Sequence, residues 1–368
     1  MPKLTKKENK MKKKLLRLFV GIVMMACLIP GPVQAKKIML KLQSQFPDAL
    51  PVIGESFPRF IENVKVLSGG EVNIKFYAPG KLVPPAGVLD AVSKKIVDAG
   101  ISSTAYWAGK IPASSIFLNV PFGPDAVERL GWLMQGNGLK LWQEMYDANG
   151  YNVKVFPLVL IPPESGGWFA KPIESLDDFK GLSIRFGGFG GDVMKKFGAS
   201  VSFMPMGDVF PALEKGLLDA CEFSYPGLDA ALGFSKVIKY NYFPGWHQPA
   251  STGELIINKD VWETKLNDQQ RAIIETAAQA NLLWTIARGV ATQADVLRDN
   301  AENKGVKNVK WSQDMIAAFK KAWEEVAAEY SAKDPFFKKV WEDLSAYRAK
   351  NALWMQKGYL PMNSDTGN

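Results

Sequence analysis

The amino-acid sequence predicts an α/β protein built as two similar lobes and completed by C-terminal helices. Three observations predict it. Strand-like and helix-like stretches alternate from Ile38 to about Asn258, one supersecondary pattern occurs in each half of that region, and beyond Val261 the chain turns into long Ala-, Gln- and Glu-rich helical segments.

The chain opens on a leader. Eight basic residues between Lys3 and Arg17 precede the apolar run Leu18 to Ile29, which Pro30-Gly31-Pro32 interrupts before Val33-Gln34-Ala35. A basic head, a short apolar stretch and small residues before a cleavage point are the build of a secretory signal peptide, so residues 1–35 are expected to be removed after Ala35. The apolar stretch is shorter than the roughly 20 residues a spanning helix needs, which argues against an uncleaved anchor. Cys27 inside the leader offers a lipoprotein site as the alternative, with Met at the position three before it.

Removing the leader rewrites the charge. Of 45 basic and 37 acidic residues, residues 1–35 hold 8 and 1, which leaves 37 against 36 and a net charge near +1. The basic character therefore belongs to the export segment and argues for neither a nucleic-acid partner nor a polybasic membrane surface. Only Cys221 remains after cleavage, so no intrachain disulfide forms and stability must come from a core that a chain of this size can supply.

Apolar alternation predicts strands at Ile38–Leu42, Val72–Tyr77, Val153–Leu160, Gly167–Phe169, Leu182–Phe186, Val201–Phe203 and Gly253–Asn258, with a helix over Pro58–Leu67. We divide this region into lobe I, residues 36–162 with a return strand near 253–260, and lobe II, residues 163–252. Asp268–Lys304 carries no Pro and stops at Gly305, which predicts one long helix within 263–305. Met315–Tyr330 and Pro335–Leu353 predict two more within 306–368. Trp323, Val326, Phe336, Val340, Trp341 and Leu344 recur there at helical spacing, as core or as the contact of a homodimer.

The internal echo is gapless. Val88-Leu89-Asp90-Ala91-Val92-Ser93-Lys94-Lys95-Ile96-Val97-Asp98-Ala99 aligns with Val209-Phe210-Pro211-Ala212-Leu213-Glu214-Lys215-Gly216-Leu217-Leu218-Asp219-Ala220, each a helix, a tight turn and a buried strand. Two lobes make a cleft, where small ligands usually bind. Ligands of open α/β sheets sit at the carboxyl ends of strands, so the segments after the two echoed strands, Ile101 to Trp107 and Cys221 to Gly227, should face it.

The chemistry-bearing residues exclude several enzyme classes. His247 is the single histidine, so a site of several imidazoles is impossible, and no Gly-x-Ser-x-Gly elbow or Walker loop occurs. Gly187-Gly188-Phe189-Gly190-Gly191 fails the dinucleotide spacing and reads as a tight strand-to-helix turn. Arg185 ends a predicted strand, where its planar fork suits a carboxylate as well as it suits a neighbouring acid. Glu164 and Glu222 sit beside strands and aromatics, where a carboxylate needs a cation, an arginine or water.

Phe179-Lys180-Gly181-Leu182-Ser183-Ile184-Arg185, Gly190-Gly191, Phe197-Gly198-Ala199, and Pro205-x-Gly207-x-Val209-Phe210-x-Ala212-Leu213-x-Lys215-Gly216-x-Leu218-Asp219-Ala220-x-Glu222 resemble the solute-binding subunits of tripartite ATP-independent periplasmic (TRAP) transporters. Gly233-Phe234 and Tyr240-x-Tyr242-x-Pro244-Gly245-Trp246 extend the resemblance over most of the mature chain. It implies a two-lobed periplasmic binding protein fold with a long helix spanning both lobes, a location in the periplasm, and delivery of the ligand to TRAP membrane permease subunits. It further implies a carboxylate held on Arg185 and, from the Pro-Gly-Trp branch, a 2-oxo acid, lactate or related monocarboxylate. Carried onto this chain, a Na+ or Ca2+ ion bridging the ligand carboxylate would be held by Glu164, Glu222, Gln248 and the Phe223 carbonyl, with Tyr106 bonding the substrate. The chain departs from that branch in having Glu164 where Gln is expected and Gln248 where Glu is expected, which moves one carboxylate across the cleft at constant charge, and in having Phe223 where an indole is common. The reading is a binding protein and not an enzyme. The alternatives are a secreted enzyme using Glu164 or Glu222 as general base and a receptor presenting its ligand to a membrane sensor.

Overall fold

A computed structural model describes residues 37–359 and, in the leader, Lys6, Lys7, Lys10, Met11 and Lys14. The Ala35 cleavage point and Cys27 lie outside the described residues. The strands are β1 Ile38–Ser44, β2 Val72–Tyr77, β3 Ala99–Ser102, β4 Val153–Ile161, β5 Gly167–Phe169, β6 Ser183–Arg185, β7 Ser200–Ser202, β8 Ala220–Cys221, β9 Tyr240–Phe243, β10 Ser251–Asn258 and β11 Lys307–Lys310. They form two sheets, a five-stranded one in the order β2-β1-β3-β10-β4 and a six-stranded one in the order β11-β9-β5-β8-β6-β7. One short strand lies where the sequence predicts only helices. The segment Lys307–Lys310 pairs in parallel with β9 at the edge of the second sheet, which accounts for its place after the long helix.

The echoed segments take equivalent places. β1 pairs in parallel with β2 and β3, and β6 pairs in parallel with β7 and β8. Asp98 and Asp219, matched in the echo, make the same two contacts. The Asp98 amide donates to the Lys41 carbonyl at 3.0 Å and its carboxylate accepts from the Lys41 amide at 2.7 Å. The Asp219 amide donates to the Ser183 carbonyl at 2.8 Å and its carboxylate accepts from the Ser183 amide at 2.9 Å. The helix before each strand ends on a left-handed residue, Lys95 with φ 58° and Gly216 with φ 68°, a conformation glycine adopts freely and lysine does not.

Helical braces join the lobes. The helix Asp268–Lys304 starts from an Asn267–Gln270 capping box and stops at Gly305, with φ 65°. At 37 residues it is about 55 Å long. It packs on β4 of the first sheet and the helix Ile53–Leu67, and on the helix Pro226–Leu232 and β11 of the second sheet. Its Asn281 Nδ2 donates to the Leu158 carbonyl at 3.0 Å, and its Gln293 Oε1 accepts from the Gly227 amide at 2.8 Å. The two last helices form another brace. Gln313–Lys333 lies on Gly188–Lys196, and Pro335–Lys357 lies on Ala126–Gln135 and Gly138–Ala148. Phe189 meets Trp323 at 5.2 Å and Phe337 at 5.6 Å between ring centroids, and Trp132 Nε1 donates to Asp343 at 2.8 Å. Trp323, Val326, Val340 and Leu344 are therefore core, with Phe336 and Trp341 half-buried against them. No helix among the described residues is long and apolar enough to cross a membrane.

Beneath the first sheet lies a buried acid. Glu254 of β10 accepts from Ser102 Oγ at 2.7 Å, Trp107 Nε1 at 3.0 Å and Tyr146 Oη at 2.7–2.8 Å. Burial pushes its pKa up to about 7 against those hydrogen bonds. The folded chain therefore keeps a proton that the unfolded chain loses near the ordinary value of 4.5, so the contribution to stability is full below that pH and is lost as pH rises to about 7. Urea denaturation from pH 5 to 8 should show Glu254→Gln gaining on the wild type as pH rises, by on the order of 3 kcal/mol at the top of the range; parallel pH profiles would contradict the assignment.

Candidate functional site

The carboxyl ends of β3, β6 and β8 converge on one cavity of about 110 Å3. Tyr106, Glu164, Arg185, Glu222, Phe223 and Gln248, the six residues singled out from sequence, all line it. Tyr106 stands on the turn Thr104–Trp107 that follows β3, and burial pushes its phenol pKa up while Arg185 opposes the shift. Its ring meets Phe203, from beyond β7, edge-on at 5.7 Å. Both rings line the cavity.

Arg185 is the last residue of β6, and its carbonyl accepts from the Glu222 amide, one residue past β8, at 2.8 Å. Backbone pairing thus sets both side chains at the strand ends. The guanidinium donates to the Glu222 main-chain carbonyl, and its Nη1 lies 3.5 Å from Glu222 Oε2. It stacks over Phe223 at 4.5 Å and Phe203 at 5.1 Å from the ring centroids. Arg185 Nε is buried without a partner, so the fork retains a donor that a ligand carboxylate can take.

Glu164 lies where the chain crosses from β4 to β5. Its amide donates to the Gln248 carbonyl at 3.2 Å, and its carbonyl accepts from the Gly245 amide at 3.1 Å. The side chain accepts from Ser224 Oγ at 3.2 Å and, with the Gln248 amide turned toward it, from Gln248 Nε2 at 2.9 and 3.1 Å. The exchange of Glu and Gln noted in the sequence thus makes a hydrogen-bonded pair across the two segments.

His247 is the residue that sequence reasoning passed over. It is 2% exposed, and its Nε2 lies 3.1 Å from Glu222 Oε1 and 3.6 Å from Glu164 Oε2. Phe186 packs edge-on against the imidazole at 4.8 Å. Adjacency to Gln248 was the available signal, but a single imidazole has no spacing pattern of its own. Burial works against a charged imidazole here, yet Glu222 and Glu164 outweigh it and push its pKa up to about 9. Burial likewise raises Glu164, to about 7. For Glu222 burial is overcome by the His247 and Arg185 charges and the Gly187 amide, and its pKa falls below the ordinary value. Two carboxylates side by side need positive charge. Glu164, Glu222 and His247 each offer a ligand atom, all within 4.8 Å of one another, so the cluster fits a cation.

The model of the bacterial extracellular solute-binding protein family 7 matches residues 44–334, and the chain belongs to that family. It is 35% identical over 297 residues to a monocarboxylate 2-oxoacid-binding periplasmic protein of Nostoc sp., covering 80% of this chain and 79% of that one. Among solved structures it is similar to a TRAP transporter solute-binding protein from Bordetella bronchiseptica, a mixed-occupancy dimer with copurified calcium and picolinate, at TM-score 0.83 and 30% identity over 87% of this chain and 94% of that one. A TRAP periplasmic solute-binding protein from Pseudoalteromonas atlantica with bound sodium and pyruvate matches at TM-score 0.82 and 29% identity, over 87% and 97%.

Gly245 has no room for a side chain, because a Cβ there would overlap the Glu164 carbonyl. Gly245→Ala should cost about 1–3 kcal/mol in urea denaturation as the Glu164 segment is forced away. Gly109→Ala, where a Cβ meets nothing within 4 Å, should cost less than half of that; equal losses would show that Gly245 is not a packing constraint.

Proposed function

We propose that this member of solute-binding protein family 7 is the extracytoplasmic receptor of a TRAP transporter for a small 2-oxo monocarboxylate, captured together with a cation. The observation that carries the reading is Arg185, held between two aromatic rings with an unpartnered Nε, in a small cavity beside two buried carboxylates. The ligand carboxylate pairs with the guanidinium fork. A cation held by Glu164, Glu222, Gln248 and the Phe223 carbonyl offsets the remaining negative charge, and the Tyr106 hydroxyl bonds the ligand. A cavity of about 110 Å3 is well below the roughly 300–1,000 Å3 of sites for drug-sized molecules, which favours a ligand the size of pyruvate.

In this reading the leader is cleaved after Ala35, and lobes I and II, divided at 162/163 and 252/253, close over the ligand and hand it unchanged to the permease. Exposed Leu353 and Trp354 near the end of the last helix support pairing of two copies there. The two solved structures named above hold picolinate with calcium and pyruvate with sodium, which supports the cation assignment.

Isothermal titration of residues 36–368 against a panel of 2-oxo and 2-hydroxy acids, with sodium or calcium present, tests the reading; heat from no organic acid would overturn it. Arg185→Ala should weaken binding by about 2–5 kcal/mol, and mass spectrometry should recover the ligand chemically intact.

A further inference from the structure

Behind the cavity-lining Glu164 and Glu222 stands one ligand type that the cation reading does not use. His247 Nε2 stands 3.1 Å from Glu222 Oε1 and 3.6 Å from Glu164 Oε2. Yet neither ring nitrogen of His247, nor Glu222 Oε1, makes a hydrogen bond. His247 Nε2 and Glu222 Oε1 are close enough to bond but are not aligned for it, and Glu164 Oε2 lies just outside bonding distance. Atoms that surround a common centre have this relation. Around an ion with bonds of about 2.1 Å in tetrahedral array, neighbouring ligand atoms stand about 3.4 Å apart, and the two observed separations bracket that value. The surroundings hold the ring in place. Phe186 is edge-on to it at 4.8 Å, and Trp246 at 5.6 Å. A Cβ on Gly190 would collide with Phe186 and His247, so the helix that carries Gly190 also limits the ring's position.

We infer that His247 Nε2 is a direct ligand of the cation, beside one carboxylate oxygen each from Glu164 and Glu222, and that the site consequently prefers a borderline divalent ion such as Zn2+, Fe2+ or Ni2+ to Ca2+ or Na+. Imidazole nitrogen suits such ions, whereas calcium and sodium take oxygen ligands. The inference rests on the proposal that a cation is bound at all, and it replaces an all-oxygen set with a mixed one. Two protein oxygens and one nitrogen leave the fourth position of a tetrahedral ion, or two positions of a five-coordinate one, for the oxygens of a 2-oxo acid.

The sequence makes the test specific, because His247 is the only histidine in the chain. The untagged protein, residues 36–368, is loaded with Mn2+ and pyruvate and examined by pulsed electron paramagnetic resonance, with ordinary and with 15N-histidine-labelled protein. An imidazole 14N coupling that becomes a 15N coupling on labelling is expected, and it needs no variant. His247→Ala should abolish it. In competition, Zn2+ should displace Ca2+ at a concentration at least about tenfold lower than the reverse, an advantage that His247→Ala reduces to less than about threefold. Bound Mn2+ without histidine coupling, or Ca2+ outcompeting Zn2+, overturns the inference and leaves the cation reading in place. Binding of none of Mn2+, Zn2+, Ca2+ or Na+, with or without pyruvate, overturns both.

Discussion

Two carboxylates buried side by side are the constraint around which this molecule is arranged. Neither Glu164 nor Glu222 can hold its charge at the bottom of a cleft without donors and positive neighbours. The neighbours come from three separate pieces of chain, residues 185–187, 224 and 247–248. Ser224 and the Gln248 amide serve Glu164, whereas the Gly187 amide, Arg185 and His247 serve Glu222. The strand ends, the crossing segments and the Gly-Trp-His turn must therefore all be in place before the site exists. Its cost in burial is met by the whole fold and not by one loop.

The braces explain how such a site keeps its shape while lying between lobes. Trp246, the neighbour of His247, stacks on Phe319 of the helix Gln313–Lys333 at 4.8 Å and on Phe122 of the first lobe at 5.8 Å. Its carbonyl accepts from the Phe122 amide at 2.7 Å. The turn that carries His247 and Gln248 is thus clamped between the first lobe and a C-terminal helix. The aromatic helices that the sequence left open as core or dimer contact are spent mainly on this clamp and on Phe189.

Much of this was legible in the sequence because it is periodic or repeated. The gapless match of residues 88–99 with 209–220 indicated the two equivalent frames, and strand ends facing a cleft indicated Tyr106, Arg185 and Glu222. What escaped has no pattern to read. Lys307–Lys310 is four residues of mixed polarity, and only pairing with β9 makes it a strand. The capture of Glu164 by Gln248 is a contact between residues 84 positions apart whose chemistry shows in neither segment alone. His247 was weighed for what one imidazole cannot do, since its two carboxylate neighbours come from segments well removed in sequence.

The echo has a consequence for how such a receptor diversifies. Its two frames agree down to the aspartate that ties each strand to its neighbour, and they part company only past the strand ends. One copy continues into hydroxyls and aromatics at Ser102 to Trp107, the other into the acid and rings of Glu222 to Tyr225. A duplicated scaffold with disparate tips separates inheritance of architecture from inheritance of taste. A change of cargo would fall on these tips and on Glu164, Arg185 and Gln248 beside them, and would leave the paired strands beneath as they are.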